Sequence, residues 1–313
     1  MKKAIILSID GGGIRGIIPA RFLSCLENEI NKKVIDIFNV YAGTSTGSII
    51  VSSFTILEKT AQQINHDLMS ENLINGLFKK EHLFDWISDI YGSKYCGDSK
   101  TKTLTRFFGN KIFNEAKYPT LITSYNLTRS SSVVFKSTGS SDGRPPLFAH
   151  QVVDCSTAAP TYFPPIEMNN NYYIDGGVSS NNPALCALSY SLSLGYPIDN
   201  IFILSIGTGK SPIEMHGNPD KWGAVQWVKN GLIDDLFDGE TEIVDYNLKS
   251  IFNRFSSLNK SESNYLRINI DLEKNIELDN TINSNLTLLN KLGERAFNMH
   301  KKKTINFIEN SLA

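Results

Sequence analysis

The chain has 313 residues, long for one average domain yet within the range of a single large α/β unit. Hydrophobic residues make up 41% and charged ones 20%, the balance of a globular enzyme with a substantial core. Lys plus Arg total 31 against 32 for Asp plus Glu, which argues against a dedicated nucleic-acid binder, since that class needs a basic excess. In chain order, Ile5 to Ile9 is a continuous apolar strand entering Gly11-Gly12-Gly13. Beyond Gly16, Ile18, Phe22, Leu26 and Ile30 recur at helical spacing, with Pro19 in the first turn, where its missing N–H costs little. A second strand, Ile37 to Ala42, meets Gly43-Thr44-Ser45-Thr46-Gly47 and then an apolar helix from Ser48 to Leu57. Strand, glycine turn, helix, repeated once, implies a parallel sheet.

Thr60 to Phe108 is expected to be mostly helical, and it carries Leu73, Leu77, Phe84, Trp86, Ile87 and Tyr91. These apolar residues suit either a cap or interfacial surface, or ordinary core-facing helix positions. Strands follow at Thr120 to Leu127 and Ser132 to Ser137, then a Gly/Ser/Pro loop to Pro146. Tyr172 to Ile174 is a short strand ending in Asp175-Gly176-Gly177, and Asn182-Pro183 opens a helix from Ala184 to Leu194. Ile201 to Ile206 is a buried strand before Gly207-Thr208-Gly209, and Tyr265 to Ile270 is a strand among C-terminal helices. No repeat or linker divides the chain, so one domain over 1–313 is expected, with a core of about 4–210 completed by 211–313.

Cys25, Cys96, Cys155 and Cys186 are scattered, which favours buried thiols over zinc ligands or disulfides. The N-terminal apolar run is too short for a signal peptide and no apolar stretch reaches the roughly 20 residues of a membrane span. A cytoplasmic chain is expected, in which the sequons at Asn126, Asn259 and Asn285 carry no weight. No metal or cofactor is suggested.

Three glycine loops carry the chemistry. Gly11, Gly13 and Gly16 fit G-x-G-x-x-G between strand and helix, but the second strand ends in Gly43 and Ser45 where a ribose-binding carboxylate belongs. The same backbone N–H groups beside a helix start suit any anion, including a developing oxyanion. Gly209-Lys210-Ser211 lacks the rest of a P-loop and reads as a structural turn. Ser45 lies in G-x-S-x-G at a strand-to-helix turn, where the glycines let the serine Oγ project from the sheet edge. Ser141 sits in the same pattern but runs into Arg144-Pro145-Pro146 rather than a helix, so Ser45 is selected by context. Of the histidines His66, His82, His150, His216 and His300, only His216 and His300 follow Asp175, and neither lies in a strand-end loop resembling a triad site. Asp175 ends a strand and would stand at the same sheet edge as Ser45. An unperturbed aspartate, with pKa about 3.9, is a weak base for a hydroxyl, so a Ser–Asp pair requires partial desolvation and an oxyanion hole.

Asp10-Gly11-Gly12-Gly13-Ile14-Arg15-Gly16, Gly43-Thr44-Ser45-Thr46-Gly47 and Asp175-Gly176-Gly177 resemble the three signature blocks of patatin-like phospholipases. The resemblance continues through Ser156 to Pro165, Asn181 to Ala184, Ser205 to Gly209, Asp238 to Phe252 and Tyr265 to Asn269. It implies a three-layer α/β/α fold with a mainly parallel central sheet, and a lipid acyl hydrolase with a Ser–Asp dyad. It maps the nucleophile onto Ser45, the base onto Asp175, the oxyanion donors onto Gly11, Gly12 and Gly13, and the family's basic position onto Arg15. Ser48 departs from the pattern, standing where a third glycine is common. The expected substrates are phospholipids or lysophospholipids, reached by peripheral membrane contact. Esterase or thioesterase action on soluble acyl groups, and a catalytically silent lipid-binding protein on the same fold, are the alternatives. The sequence identifies no activating partner or small-molecule ligand.

Overall fold

A computed structural model describes residues 2–80, 93–138, 146–212, 218–223, 226–227, 230–259 and 263–313. Strand β1 (Ala4–Ile9) is wholly buried and alternates its side chains between two cores. A 3-10 turn, Gly13–Gly16, leads into α1 (Ile17–Ile30), followed by β2 (Val40–Gly43) and α2 (Thr46–Thr55). Helices α3 (Ala61–Met69), α4 (Glu71–Leu77) and α5 (Gly97–Phe108) precede the hairpin of β3 (Thr120–Asn126) and β4 (Ser131–Lys136). Next come α6 (Ala149–Ser156), β5 (Ile166–Met168), β6 (Asn171–Asp175), the short α7 (Gly177–Ser180), α8 (Ala184–Ser193) and β7 (Ile201–Ile206). The long helix α9 (Leu232–Asn259), strand β8 (Tyr265–Ile268) and α10 (Asn283–Leu312) complete the chain.

The strands form one sheet in the order β5-β6-β3-β2-β1-β7-β8, with β4 on the other edge of β3. Pairings around β1 and β7 are parallel, as the βαβα pattern requires, and β4, β5 and β6 are antiparallel. Ile5, Leu7 and Ile9 pack with Phe22 of α1, Ile50 of α2 and Leu289 of α10. Ala4 and Ile6 pack on the opposite face with Leu188 of α8 and Leu248 of α9. Helices on both faces of a mainly parallel sheet make the expected three layers. Among the described residues no helix is long and apolar enough to cross a membrane.

One feature of register positions the site. Along one edge of β3, Leu121 to Asn126 pair with β4 throughout. The other edge is shared. Thr120 to Ile122 pair with β2 in parallel, and Ser124 to Asn126 pair with β6 in antiparallel sense. Strands β2 and β6 therefore run toward each other, and their C-terminal ends stop on either side of Thr123. A parallel sheet alone would not bring two strand ends together head-on.

Several boundaries differ from the sequence reading. β2 starts at Val40 rather than Ile37, because Val34–Asp36 form a 3-10 turn and the Asn39 side chain takes over the strand's polar contacts. Asn39 Oδ1 accepts the Ile5 N–H at 2.8 Å and Nδ2 donates to the Lys3 carbonyl at 2.9 Å. The helical stretch from Thr60 breaks at Ser70, whose hydroxyl accepts the Leu73 N–H and caps α4. Phe84, Trp86, Ile87, Tyr91, His82, His216 and Ser141 lie outside the described residues. The hairpin from β5 to β6 turns on Asn169 and Asn170, both at positive φ (50° and 56°), a turn the Asn-Asn pair could have signalled. All four cysteines are free, but of them Cys155 alone is buried and the others are half-buried.

Candidate active site

Ser45 occupies the turn between β2 and α2 with φ 52° and ψ −122°. This is the first central position of a type II′ turn, normally a glycine conformation, and holding serine there costs about 1–3 kcal/mol. Close packing beneath the turn enforces it: a Cβ on Gly43 would meet the Gly47 carbonyl O at 2.4 Å. The Ser45 N–H donates to Ser156 Oγ at 2.9 Å, and Ser48 Oγ donates to the Ser45 carbonyl at 2.5 Å. Ser48, the departure from the family pattern, thus braces the turn. Ser45 also stands at the N-terminus of α2, whose partial positive end favours negative charge on the serine oxygen.

Asp175 ends β6 across Thr123 from that turn and is fully buried. Its N–H donates to the Ala158 carbonyl at 3.0 Å, and its Oδ1 accepts the Gly177 N–H at 2.8 Å. Oδ2 is buried without a fully formed hydrogen bond, while the Ser45 hydroxyl is close enough to stabilise the carboxylate. Catalytic contacts are often loose in a free enzyme and tighten around substrate. Burial pushes the Asp175 pKa up to about 6, against the opposing pull of Ser45, the Gly177 N–H and the Lys100 ammonium. A carboxylate so shifted is a stronger base than an exposed one.

The glycine loop faces the same point. The Gly11 N–H is already engaged by the Asn181 carbonyl at 3.2 Å, and Thr208 Oγ1 donates to the Gly11 carbonyl at 2.7 Å. Gly11 therefore anchors the loop. Gly13 has φ 54°, and a Cβ there would strike the Leu278 carbonyl O at 2.1 Å, so glycine is required. Among the described residues no loop or side-chain acceptor takes the N–H of Gly12 or Gly13, and both line the cavity beside Ser45 and Asp175. Arg15 is buried and turned away: Nε donates to the Ile276 carbonyl at 2.7 Å, tying the loop to the C-terminal third. Burial lowers its pKa, and nearby Asp234 and Asp238 raise it.

Asp10, immediately before the glycines, forms a bidentate pair with Arg267 of β8, at 2.9 Å to Oδ1 and 2.5 Å to Oδ2. Both side chains are buried, so losing one partner strands the other charge. Arg267→Met should destabilise the fold by about 3–5 kcal/mol, read as a lower urea midpoint.

The cavity around Ser45 is mainly apolar, walled by Ile49, Leu73, Ile74, Leu77, Phe163 and Phe237, with Lys100 and Thr157 among its polar lining residues. Leu73, Ile74 and Leu77 of α4 thus face the site, serving the core and the cavity wall together. Trp222 and Trp227 pack edge to face at 5.0 Å and line no part of it. None of the described histidines, His66, His150 and His300, lines it either. His150 Nδ1 is 3.2 Å from the Gly109 carbonyl, and its ring stacks on Phe148. Sequence reasoning missed Lys100, which reads as a polar helix residue, and Thr123, whose position follows only from strand register.

An α/β/α protein with a serine turn, a buried carboxylate and a glycine loop at one sheet edge has the architecture of an acyl hydrolase. The chain belongs to the patatin-like phospholipase family, whose model matches residues 7–188. It is 30% identical to Patatin-08 of Solanum tuberosum, over 92% of this chain and 82% of that protein. It is 29% identical to Patatin-like protein 2 of Arabidopsis thaliana, over 92% of this chain and 81% of that one. Among solved structures, VipD from Legionella pneumophila superposes with a TM-score of 0.47 at 12% identity, covering 95% of this chain and 67% of that chain. Family membership supports lipid acyl hydrolase activity in general, on lipid ester substrates.

Proposed function

We propose that the protein hydrolyses fatty-acyl esters of phospholipids or lysophospholipids through an acyl-Ser45 intermediate, with Asp175 as general base. The observation that carries the reading is the meeting of Ser45, a buried Asp175 and the Gly12 and Gly13 amides in one apolar cavity. Ser45 Oγ attacks the ester carbonyl as its proton passes to Asp175 Oδ2. The oxyanion so formed sits against the Gly12 and Gly13 N–H groups, each such donor being worth about 3–4 kcal/mol. As the ester C–O bond breaks, Asp175 returns the proton to the leaving alcohol. A water then adds to the acyl-serine, Asp175 takes its proton, and the fatty acid leaves with Ser45 restored. The apolar walls suit an acyl chain, whose burial contributes about 0.8 kcal/mol per methylene. Residues 211–313 belong to the same single domain, because β8 extends the sheet and Ile276 and Leu278 brace the glycine loop. Access to substrate is by peripheral contact with a lipid surface.

The base must be ionised to act. Activity therefore rises with pH through the Asp175 pKa, and kcat/KM for a soluble chromogenic ester should fall on the acid side with a midpoint near 6. Incubation with vesicles of phosphatidylcholine or lysophosphatidylcholine, with released fatty acid measured by mass spectrometry, tests the substrate class. Release from vesicles that exceeds turnover of a soluble acyl thioester is the expected result. Turnover confined to soluble esters would overturn the lipid assignment.

A further inference from the structure

Lys100 lies on α5 in a polar stretch, Gly97-Asp98-Ser99-Lys100-Thr101-Lys102, yet its side chain is 1% exposed. Nζ stands 2.6 Å from Asp154 Oδ1, and donates to the Asp154 carbonyl at 2.8 Å and to Thr157 Oγ1 at 3.0 Å. Two hydrogen bonds and one ion pair thus hold the ammonium in place. The ammonium also lies 5.1 Å from the centre of the Phe163 ring, and Lys100 lines the cavity that holds Ser45 and Asp175. A buried ion pair is a poor source of stability, since apolar residues of similar volume often do as well. Its place beside the reacting groups points to another use.

The partners of Lys100 belong to the turn that ends α6. In that same turn Ser156 Oγ accepts the Ser45 N–H, and the Ala158 carbonyl accepts the Asp175 N–H. One five-residue stretch, 154–158, therefore grips the nucleophile, the base and the lysine. We propose that Lys100 is a positioning residue for ester hydrolysis: its ammonium, pinned by Asp154 and Thr157, places a positive charge in the cavity wall it shares with Asp175 and fixes the turn that holds Ser45 and Asp175. This rests on the Ser45–Asp175 reading above.

The groups that bear on Asp175 are the Ser45 hydroxyl, the Gly177 N–H and Lys100, each favouring the carboxylate over its neutral form. Asp154 partly offsets Lys100, and burial keeps the adjacent Cys155 thiol neutral by pushing its pKa well up. Removing the ammonium should raise the pH at which Asp175 ionises. In Lys100→Met the acidic midpoint of kcat/KM on a soluble chromogenic ester should move to higher pH, with loss greatest at acid pH. Lys100→Met/Asp154→Asn, which leaves no stranded charge, should fold as the wild type and shift the same way, whereas Lys100→Arg should keep the wild-type midpoint. An unmoved midpoint in both Met variants, with kcat lowered equally at every pH, would reduce Lys100 to a structural post and overturn the proposal. Failure of both to fold would do the same. If Ser45→Ala were still active, the dyad itself would be wrong. If Ser45→Ala is dead and the midpoint stays put, the role of Lys100 alone is refuted.

Discussion

Ser45→Ala should lose acyl-ester hydrolysis by about ten-thousandfold or more in kcat, because the atom that forms the covalent intermediate is gone. The fold should persist, since the turn is held through the Ser45 main chain, whose N–H donates to Ser156 and whose carbonyl accepts the Ser48 hydroxyl. Alanine keeps both contacts. Ser45→Gly sharpens the point. With φ 52° and ψ −122°, the turn strains any side chain, so glycine should be equally inactive yet raise stability by about 1 kcal/mol. A dead variant more stable than its parent is the mark of strain held for function. Thermal unfolding beside steady-state kinetics on a chromogenic ester measures both. Activity of Ser45→Ala within tenfold of wild type would exclude Ser45 as nucleophile.

Asp175→Asn separates a dyad from a hidden triad. The amide oxygen can still accept the Gly177 N–H that now bonds Oδ1, so the turn after β6 is preserved. It cannot accept the serine proton, and kcat should fall by about a thousandfold or more, with KM little changed. Asparagine in place of His66, His150 or His300 should leave activity within a few-fold, since these side chains stand away from the cavity. The same expectation holds for His82→Asn and His216→Asn, on the reading that no imidazole takes part. A histidine variant as inactive as Asp175→Asn would replace the dyad with a Ser–His–Asp arrangement, where loss of the histidine costs several orders of magnitude.

Both chemical groups were legible because each is announced locally. Ser45 sits between glycines where a strand pattern gives way to a helix pattern, and Asp175 ends a strand before two glycines. Their proximity was not legible. It depends on β2 and β6 sharing one edge of β3 from opposite directions, a register fixed by contacts distant in sequence. Asn39 illustrates a smaller failure of the same kind. Apolar Ile37 and Phe38 suggest a strand, but they are buried in the approach to it while an asparagine side chain supplies the polar contacts. Lys100 hides because a lysine among Asp, Ser and Thr reads as solvated, and only the neighbouring α6 gives it acceptors. Gly11, Gly12 and Gly13 look equivalent in sequence. The structure distinguishes them, since Asn181 already engages the Gly11 N–H and leaves the next two amides for the proposed oxyanion role.

The central claim is that Ser45 is the nucleophile activated at this sheet edge, and covalent trapping tests it most directly. The wild-type protein treated with a fluorophosphonate should gain the mass of a single phosphonyl group, mapped by peptide sequencing to Ser45. Ser45→Ala should gain none, and Asp175→Asn should label far more slowly, because its serine lacks a base. A phosphonyl group on any other residue, or none on a wild-type protein that is hydrolysing lipid esters, would contradict the account.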